Sequence, residues 1–183
     1  MTKKEQIITA AFDLFSKNGF YATGVDRIMA TAKVSKRTLY KYFPTKNALI
    51  VAVMDFYRDG FKDKMRGLLG LEKATAEEKI LKIFEEAVLW FDDPNFHGCL
   101  VINAMGEFAD KDDGIITSCQ SFKKWELGMF YKLAQEMDVS DPDGLSYTLF
   151  ILFEGLLSAA QVMRKEPPVD IIEVVRKILA QAK

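Results

Sequence analysis

From Lys33 to Lys46 the chain reads KVSKRTLYKYFPTK, with five cations, two tyrosines and no acid. Lys and Arg at such density can reach guanine O6 and N7 or neutralise phosphate, and Ser, Thr and Tyr hydroxyls can bond phosphate oxygens. The groups on offer are Ser35, Lys36, Arg37, Thr38, Tyr40, Lys41 and Tyr42, with Lys46 just beyond. Residues 1–48 carry nine Lys/Arg against three Asp/Glu, while the remainder carries sixteen against twenty-three and the whole nets to −1. A basic head on an acidic body points to an anionic partner for the head alone. The bland alternative is a solvated basic helix face. The tyrosines flanking Lys41 and the lack of any acid favour binding.

Catalytic and metal chemistry find little support. A single histidine, His97, rules out H-E-x-x-H, and Pro94 sits where a Glu-x-x-His pair needs its carboxylate. His97 and Cys99 with a distant Cys119 have poor zinc spacing. The sequence has no Walker loop, no G-x-G-x-x-G and no G-x-S-x-G. No catalytic residue, metal ligand or cofactor is therefore expected. The two cysteines do not make a secreted framework, and reduced thiols in a cytoplasmic protein are the expectation. Met1 leads straight into Thr-Lys-Lys-Glu, with no apolar signal region behind the charges.

The elements that must hold these groups read as helices throughout, about nine of them, so the fold class is all-α. Ile7, Ile8, Ala11, Phe12, Leu14 and Phe15 form a stripe at the 3.6 period, which Asn18-Gly19 stops. Thr23-Gly-Val-Asp26 has the spacing of a capping box for a second helix through about 32. A break at Lys33-Val34 and a cap at Ser35 open a third helix, ending near Phe43-Pro44. Thr45 caps a fourth over 46–66, where Gly67 and Gly70 interrupt the pattern. Thr75-Ala-Glu-Glu78 is a second capping box, and helices over about 98–109 and 114–137 follow. Leu145 to Met163 is long and apolar enough for a membrane span, but Glu154 sits mid-segment, so a buried helix and no membrane are expected. A last helix follows Pro167-Pro168.

Three short helices with about three residues between the second and third have helix-turn-helix spacing: one braces across the backbone while the next enters the major groove. Leu39 and Phe43, four apart, face the core, so the basic residues face outward. The segment from Ala10 to Ile50, AAFDLFSKNGFYATGVDRIMATAKVSKRTLYKYFPTKNALI, resembles the DNA-binding domain of the TetR family of transcriptional regulators. Its densest signature is Val34-Ser35 followed by Leu39-Tyr40-Lys41-Tyr42-Phe43-Pro44-Thr45-Lys46.

The resemblance implies an N-terminal three-helix helix-turn-helix domain over 1–48. Over 49–183 it implies a helical bundle that binds a small-molecule effector and forms a homodimer through its last two helices. The partner would be a double-stranded DNA operator. Lys36 and Arg37 would read bases, while Thr23, Ser35, Tyr40, Tyr42 and Lys46 would hold phosphate. Lys33 stands where this family usually has a turn glycine, and Arg37 where a small residue is common. Expected pocket residues are Trp90, Phe91, Phe96, Met105, Phe108, Trp125, Phe150, Glu154 and Met163; expected dimer residues are Leu149, Phe153, Leu156, Val175, Ile178 and Leu179. Two uses of Glu154 stay open, a cationic ligand or a bond to another helix. HGCLVINAMGEF, from His97 to Phe108, resembles a segment before the pocket in some TetR-like regulators, and Cys99 there is either a small buried hydrophobe or a reactive thiol. The rival reading is a helical ligand-carrying or enzymatic bundle with a basic, anion-binding N-terminus.

Overall fold

The computed structural model describes residues 1–109, 111–165 and 167–183, and every regular element among them is a helix. The order is α1 (Lys3–Asn18), α2 (Val25–Ala32), α3 (Lys36–Tyr42), α4 (Lys46–Leu69), α5 (Ala76–Phe91), α6 (Leu100–Phe108), α7 (Asp113–Glu136), α8 (Pro142–Met163) and α9 (Ile171–Ala182). Two compact units divide the chain. One holds Met1–Phe61 with Cys99–Ser121, the other Lys62–Gly98 with Phe122–Lys183. The first unit is thus larger than a head of 1–48, because α6 and the start of α7 belong to it.

In the first unit, Thr2 and Glu5 form a reciprocal capping box that opens α1. Ile7, Ala11, Phe15 and Phe20 are wholly or almost wholly buried with Ile28, Leu39, Leu49 and Ile50, each of the Ile, Leu and Phe side chains contributing about 1.5–3 kcal/mol by leaving water. Gly19 ends α1 at φ +82, a conformation that suits a residue without a Cβ. The capping box expected at Thr23 is not formed. Gly24 is the α2 cap and supplies no side chain, while the Thr23 hydroxyl donates inward to the Gly19 carbonyl at 2.8 Å. The carbonyl groups freed at the end of α1 need a donor, and Thr23 is the one at hand.

The turn into α3 depends on Lys33, which sits in the left-handed region at φ 51, ψ 50. Its N–H donates to the Ala30 carbonyl at 3.3 Å, and that of Val34 to the Met29 carbonyl at 3.1 Å, which closes α2. Ser35 then caps α3 by accepting the Thr38 amide. Leu39 and Phe43 turn inward as the spacing requires. Thr45 Oγ1 accepts the Ala48 amide and starts α4. That helix runs through Gly67 to Leu69, beyond the expected stop. A single mid-helix glycine costs only about 1 kcal/mol relative to Ala, so Gly70 rather than Gly67 marks the end.

In the second unit, α5 packs against α8 and α9. The Thr75–Glu78 capping box is present, and Ile80, Ile83 and Phe84 are buried behind it. Phe84, Phe130 and Phe153 form an aromatic trio with centroids 5.7–6.1 Å apart. Asp141 caps α8 and Pro142 occupies its first turn. Among the described residues α8 is the one helix long and apolar enough to cross a membrane. One of its sides is spent in the unit's core, through Leu145, Leu149, Phe153, Leu156, Leu157 and Ala160.

Candidate nucleic-acid interface

Lys36, Arg37, Tyr40, Lys41 and Tyr42 are exposed on α3, as is Ser35 at its cap, and Thr38 is half-buried. Leu39 alone of this helix is fully withdrawn, so a seven-residue element presents nearly all its polar side chains outward. The Ser35 and Thr38 hydroxyls bond each other at 2.9 Å, which preorganises both beside the first turn. Lys46 is half-buried at the start of α4. Burial pushes its ammonium below the ordinary lysine value, and the Glu107 carboxylate opposes that shift. Thr23 differs from expectation. It is wholly buried, with its hydroxyl proton given to a backbone carbonyl, so it is withdrawn from any phosphate contact.

The corner between α6 and α7 reaches this interface, which the sequence did not signal. Both oxygens of Glu107 accept backbone amides from the α1–α2 turn, Phe20 N–H at 2.8 Å and Tyr21 N–H at 2.6 Å. Phe108 stacks on Tyr21 with centroids 5.0 Å apart and meets Phe20 edge-on at 5.8 Å. Lys111 Nζ lies 5.2 Å from the Tyr21 ring centre and donates to the Glu107 carbonyl at 2.8 Å. One turn on, Asn47 Nδ2 donates to Asp112 Oδ2 at 2.8 Å, while Asp112 Oδ1 accepts the Ile115 amide that opens α7. Those bonds hold the Asp112 carboxyl below the usual range, the Ile115 amide contributing most. Phe108, expected in a ligand pocket, is instead core of the first unit, and Met105 lies one turn before it on the same helix.

The remaining pocket candidates lie in the second unit, in separate groups. Trp90 and Phe91 both pack on Phe96, at 4.9 and 5.1 Å. Trp125 lines a cavity of about 240 Å³ with Leu69, Lys79, Met129 and Leu133, and Lys62 Nζ sits 5.2 Å over its ring. Phe150 is half-buried against Tyr147, and Met163 is exposed at the end of α8. Of the two uses open to Glu154, the bond to another helix is the one observed: it accepts from Lys123 of α7 at 2.8 Å. The same ammonium donates to Glu126 at 2.7 Å, and Glu126 is 1 % exposed. Burial pushes the Glu126 carboxyl up to about 7; Lys123 opposes the shift and Glu154 adds to it. Sequence reasoning missed Glu126, yet a signal existed. It falls in line with Phe122, Met129 and Leu133 at i, i+4, i+7 and i+11, an acid in an apolar stripe.

Residues 7–53 match the family model for bacterial regulatory proteins of the tetR family. The chain is 28 % identical over 136 residues to YerO of Bacillus subtilis, an uncharacterised HTH-type transcriptional regulator, covering 74 % of this chain and 43 % of that protein. It spans less than half the length of that relative. Escherichia coli NemR, an HTH-type transcriptional repressor, is 22 % identical over 189 residues, covering 97 % of this chain and 94 % of NemR. The crystal structure of a tetR-type regulator from Streptomyces avermitilis superposes with a TM-score of 0.88 at 24 % identity, over 100 % of this chain and 98 % of the other. Residues 7–53 therefore belong to the DNA-binding domain of tetR-type regulators, and the chain as a whole shares the all-helical fold of a solved tetR-type regulator.

The expected dimer residues lie mostly inward in the protomer. Leu149, Phe153, Leu156, Val175 and Leu179 are buried within their own unit, and Ile178 is half-buried. Most of them make the protomer's core, with Ile178 at its edge. The opposite side of α8 carries Tyr147, Ile151, Gly155, Ala159 and Val162, all exposed, with Ile151 at 53 % and Val162 at 76 %. Because α8 is apolar nearly all round, its sequence pattern alone does not choose between the two stripes.

Proposed function

We propose that this regulator binds a pseudo-palindromic operator in double-stranded DNA as a homodimer, represses transcription there, and is released by a small, largely apolar effector. The observation that carries the reading is the outward face of α3. Lys36, Arg37, Tyr40, Lys41 and Tyr42 are exposed without an acid among them, on the second helix of a helix-turn-helix. Lys36 and Arg37 open that helix, where side chains reach base edges, and Tyr40, Tyr42 and Lys46 flank it for phosphate. Residues 1–48 meet the DNA, while 49–183 bind the effector and the second copy. The outward stripe of α8 supports dimerisation, since a soluble monomer seldom leaves contiguous apolar surface in water. The aromatic groups around Phe96 and Trp125 support an apolar effector, and likeness to a repressor supports the direction of control. A DNA partner puts the protein in the cytoplasm. Release requires the effector to bind the two states of the dimer with different affinity; tight binding alone shifts nothing.

Footprinting on the DNA upstream of its own gene tests this. Two protected half-sites about one helical turn apart are expected. Failure to retain any duplex at low salt would overturn the reading and favour the rival, a ligand-carrying bundle with a basic N-terminus.

A further inference from the structure

Glu107 lies more than eighty residues along the chain from the α1–α2 turn, yet its two oxygens hold the amides of Phe20 and Tyr21. A carboxylate accepting two N–H groups is a strong, directional tie, roughly twice as strong per bond as a neutral pair. The tie fits closely. A Cβ at Gly19 would meet Glu107 Oε1 at 3.0 Å, and Gly19 sits at φ +82, so this turn is shaped around the carboxylate. Phe108 stacks on Tyr21, Lys111 Nζ lies 5.2 Å from the centre of that ring, and Asp112 takes Asn47 at the start of α4. The α6–α7 corner therefore grips both ends of the helix-turn-helix: the turn that leads into α2, and the first residues of α4 beside Lys46.

We propose that Glu107 is a positioning residue for DNA binding: by holding the Phe20 and Tyr21 amides it sets α2, and through α2 the register of α3, in the orientation that reads sequence. The role presupposes the DNA-binding reading above. Glu107 touches no base in it. Its carboxylate places the helices that do, while its negative charge next to Lys46 works against phosphate in general. Those two contributions have opposite signs on random DNA and can be separated.

The test compares wild type with Glu107→Ala and Glu107→Gln on the footprinted operator and on a scrambled duplex of equal length. Hydrogen exchange of the Phe20 and Tyr21 amides and circular dichroism are recorded on the same samples, well below the melting temperature. Operator affinity is expected to fall while scrambled-duplex affinity holds or rises, lowering the ratio of the two about tenfold for Glu107→Ala, the scale of losing charge-assisted bonds. Both amides should lose protection, with α1 still protected. A merely structural role would lower the melting temperature and leave the ratio unchanged; simple charge removal would raise both affinities together. Either result overturns the assignment. If Glu107→Ala does not fold, Lys111→Met carries the test, because it removes the tether on the Glu107 carbonyl and keeps the carboxylate. Loss of amide protection in that folded variant with an unchanged ratio would also overturn it. Absence of duplex binding by wild type removes the DNA-binding reading and this role together; binding by wild type with indifferent variants removes this role alone.

Discussion

Lys36 and Arg37 are the first two residues of α3, and Lys46 stands at the start of α4, so one substitution series separates reading from holding. Lys36→Ala or Arg37→Ala should cost about 1–3 kcal/mol on the operator and relax sequence preference, because bidentate contacts to a base edge are lost. Lys46→Ala should weaken operator and scrambled duplex alike and shallow the salt slope by about one unit, because one fewer counterion is released. Titrations of both duplexes at several salt concentrations check this; identical behaviour of all three variants would show the division of roles to be wrong. Glu126 calls for a different experiment. Its carboxyl is pushed up to about 7 by burial, so between about pH 4.5 and pH 7 the folded chain keeps a proton that the unfolded chain has lost. Stability therefore falls as pH rises through that window, by up to about 3 kcal/mol, and none of the loss is present below it. Glu126→Gln keeps the shape and removes the titration, so it should melt higher than wild type at pH 8, with the gain shrinking toward pH 5. An equal shift at both values would show that Glu126 keeps its charge in the fold.

The α2–α3 turn concentrates a cost in one residue. A non-glycine side chain in the left-handed region costs about 1–2 kcal/mol, and Lys33 occupies it at φ 51. Lys33→Gly should raise stability by about 0.5–1 kcal/mol, the added freedom of the unfolded glycine offsetting part of the relief. Scrambled-duplex affinity should drop slightly with the lost cation, and paired thermal melts and duplex titrations on one sample read both. A lower melting temperature would mean that the lysine stem is packed against the turn.

This turn was legible because it is local. Val34, Ser35, Leu39 and Phe43 fix where α3 starts and which way it faces within ten residues. The Thr75–Glu78 capping box was legible for the same reason. Thr23 shows the limit, since its spacing to Asp26 is right and yet its proton went to the end of α1, a choice between partners that only the folded turn decides. Gly67 shows another, because packing carried α4 past a residue that propensity would use to stop it. Glu107 lay furthest out of reach. Its amide partners are 86 and 87 residues away, and no periodicity encodes them.

Assembly is a property of the whole molecule, and α8 poses it most sharply. One stripe, Leu149, Phe153 and Leu156, is already used by the protomer, while the other, Tyr147, Ile151, Gly155, Ala159 and Val162, meets water. A two-fold dimer places two heads on half-sites about 34–36 Å apart, and the first head to bind holds the second at high effective concentration. That coupling is worth about 10²–10⁴ in affinity without any new contact to DNA. Ile151→Glu sets a charge on the outward stripe, where folding does not need it but a second copy would have to bury it. Its protomer should therefore fold and melt near wild type while light scattering reports a monomer. Full-operator affinity should fall by at least about a hundredfold while half-site affinity stays the same. Leu156→Glu, on the inward stripe, should fail earlier, at folding, since its charge has no partner in the aromatic and aliphatic core around it. The contrast between the two variants identifies the interface. If Ile151→Glu stays dimeric and binds the full operator as before, the second copy sits elsewhere and the outward stripe of α8 has another use.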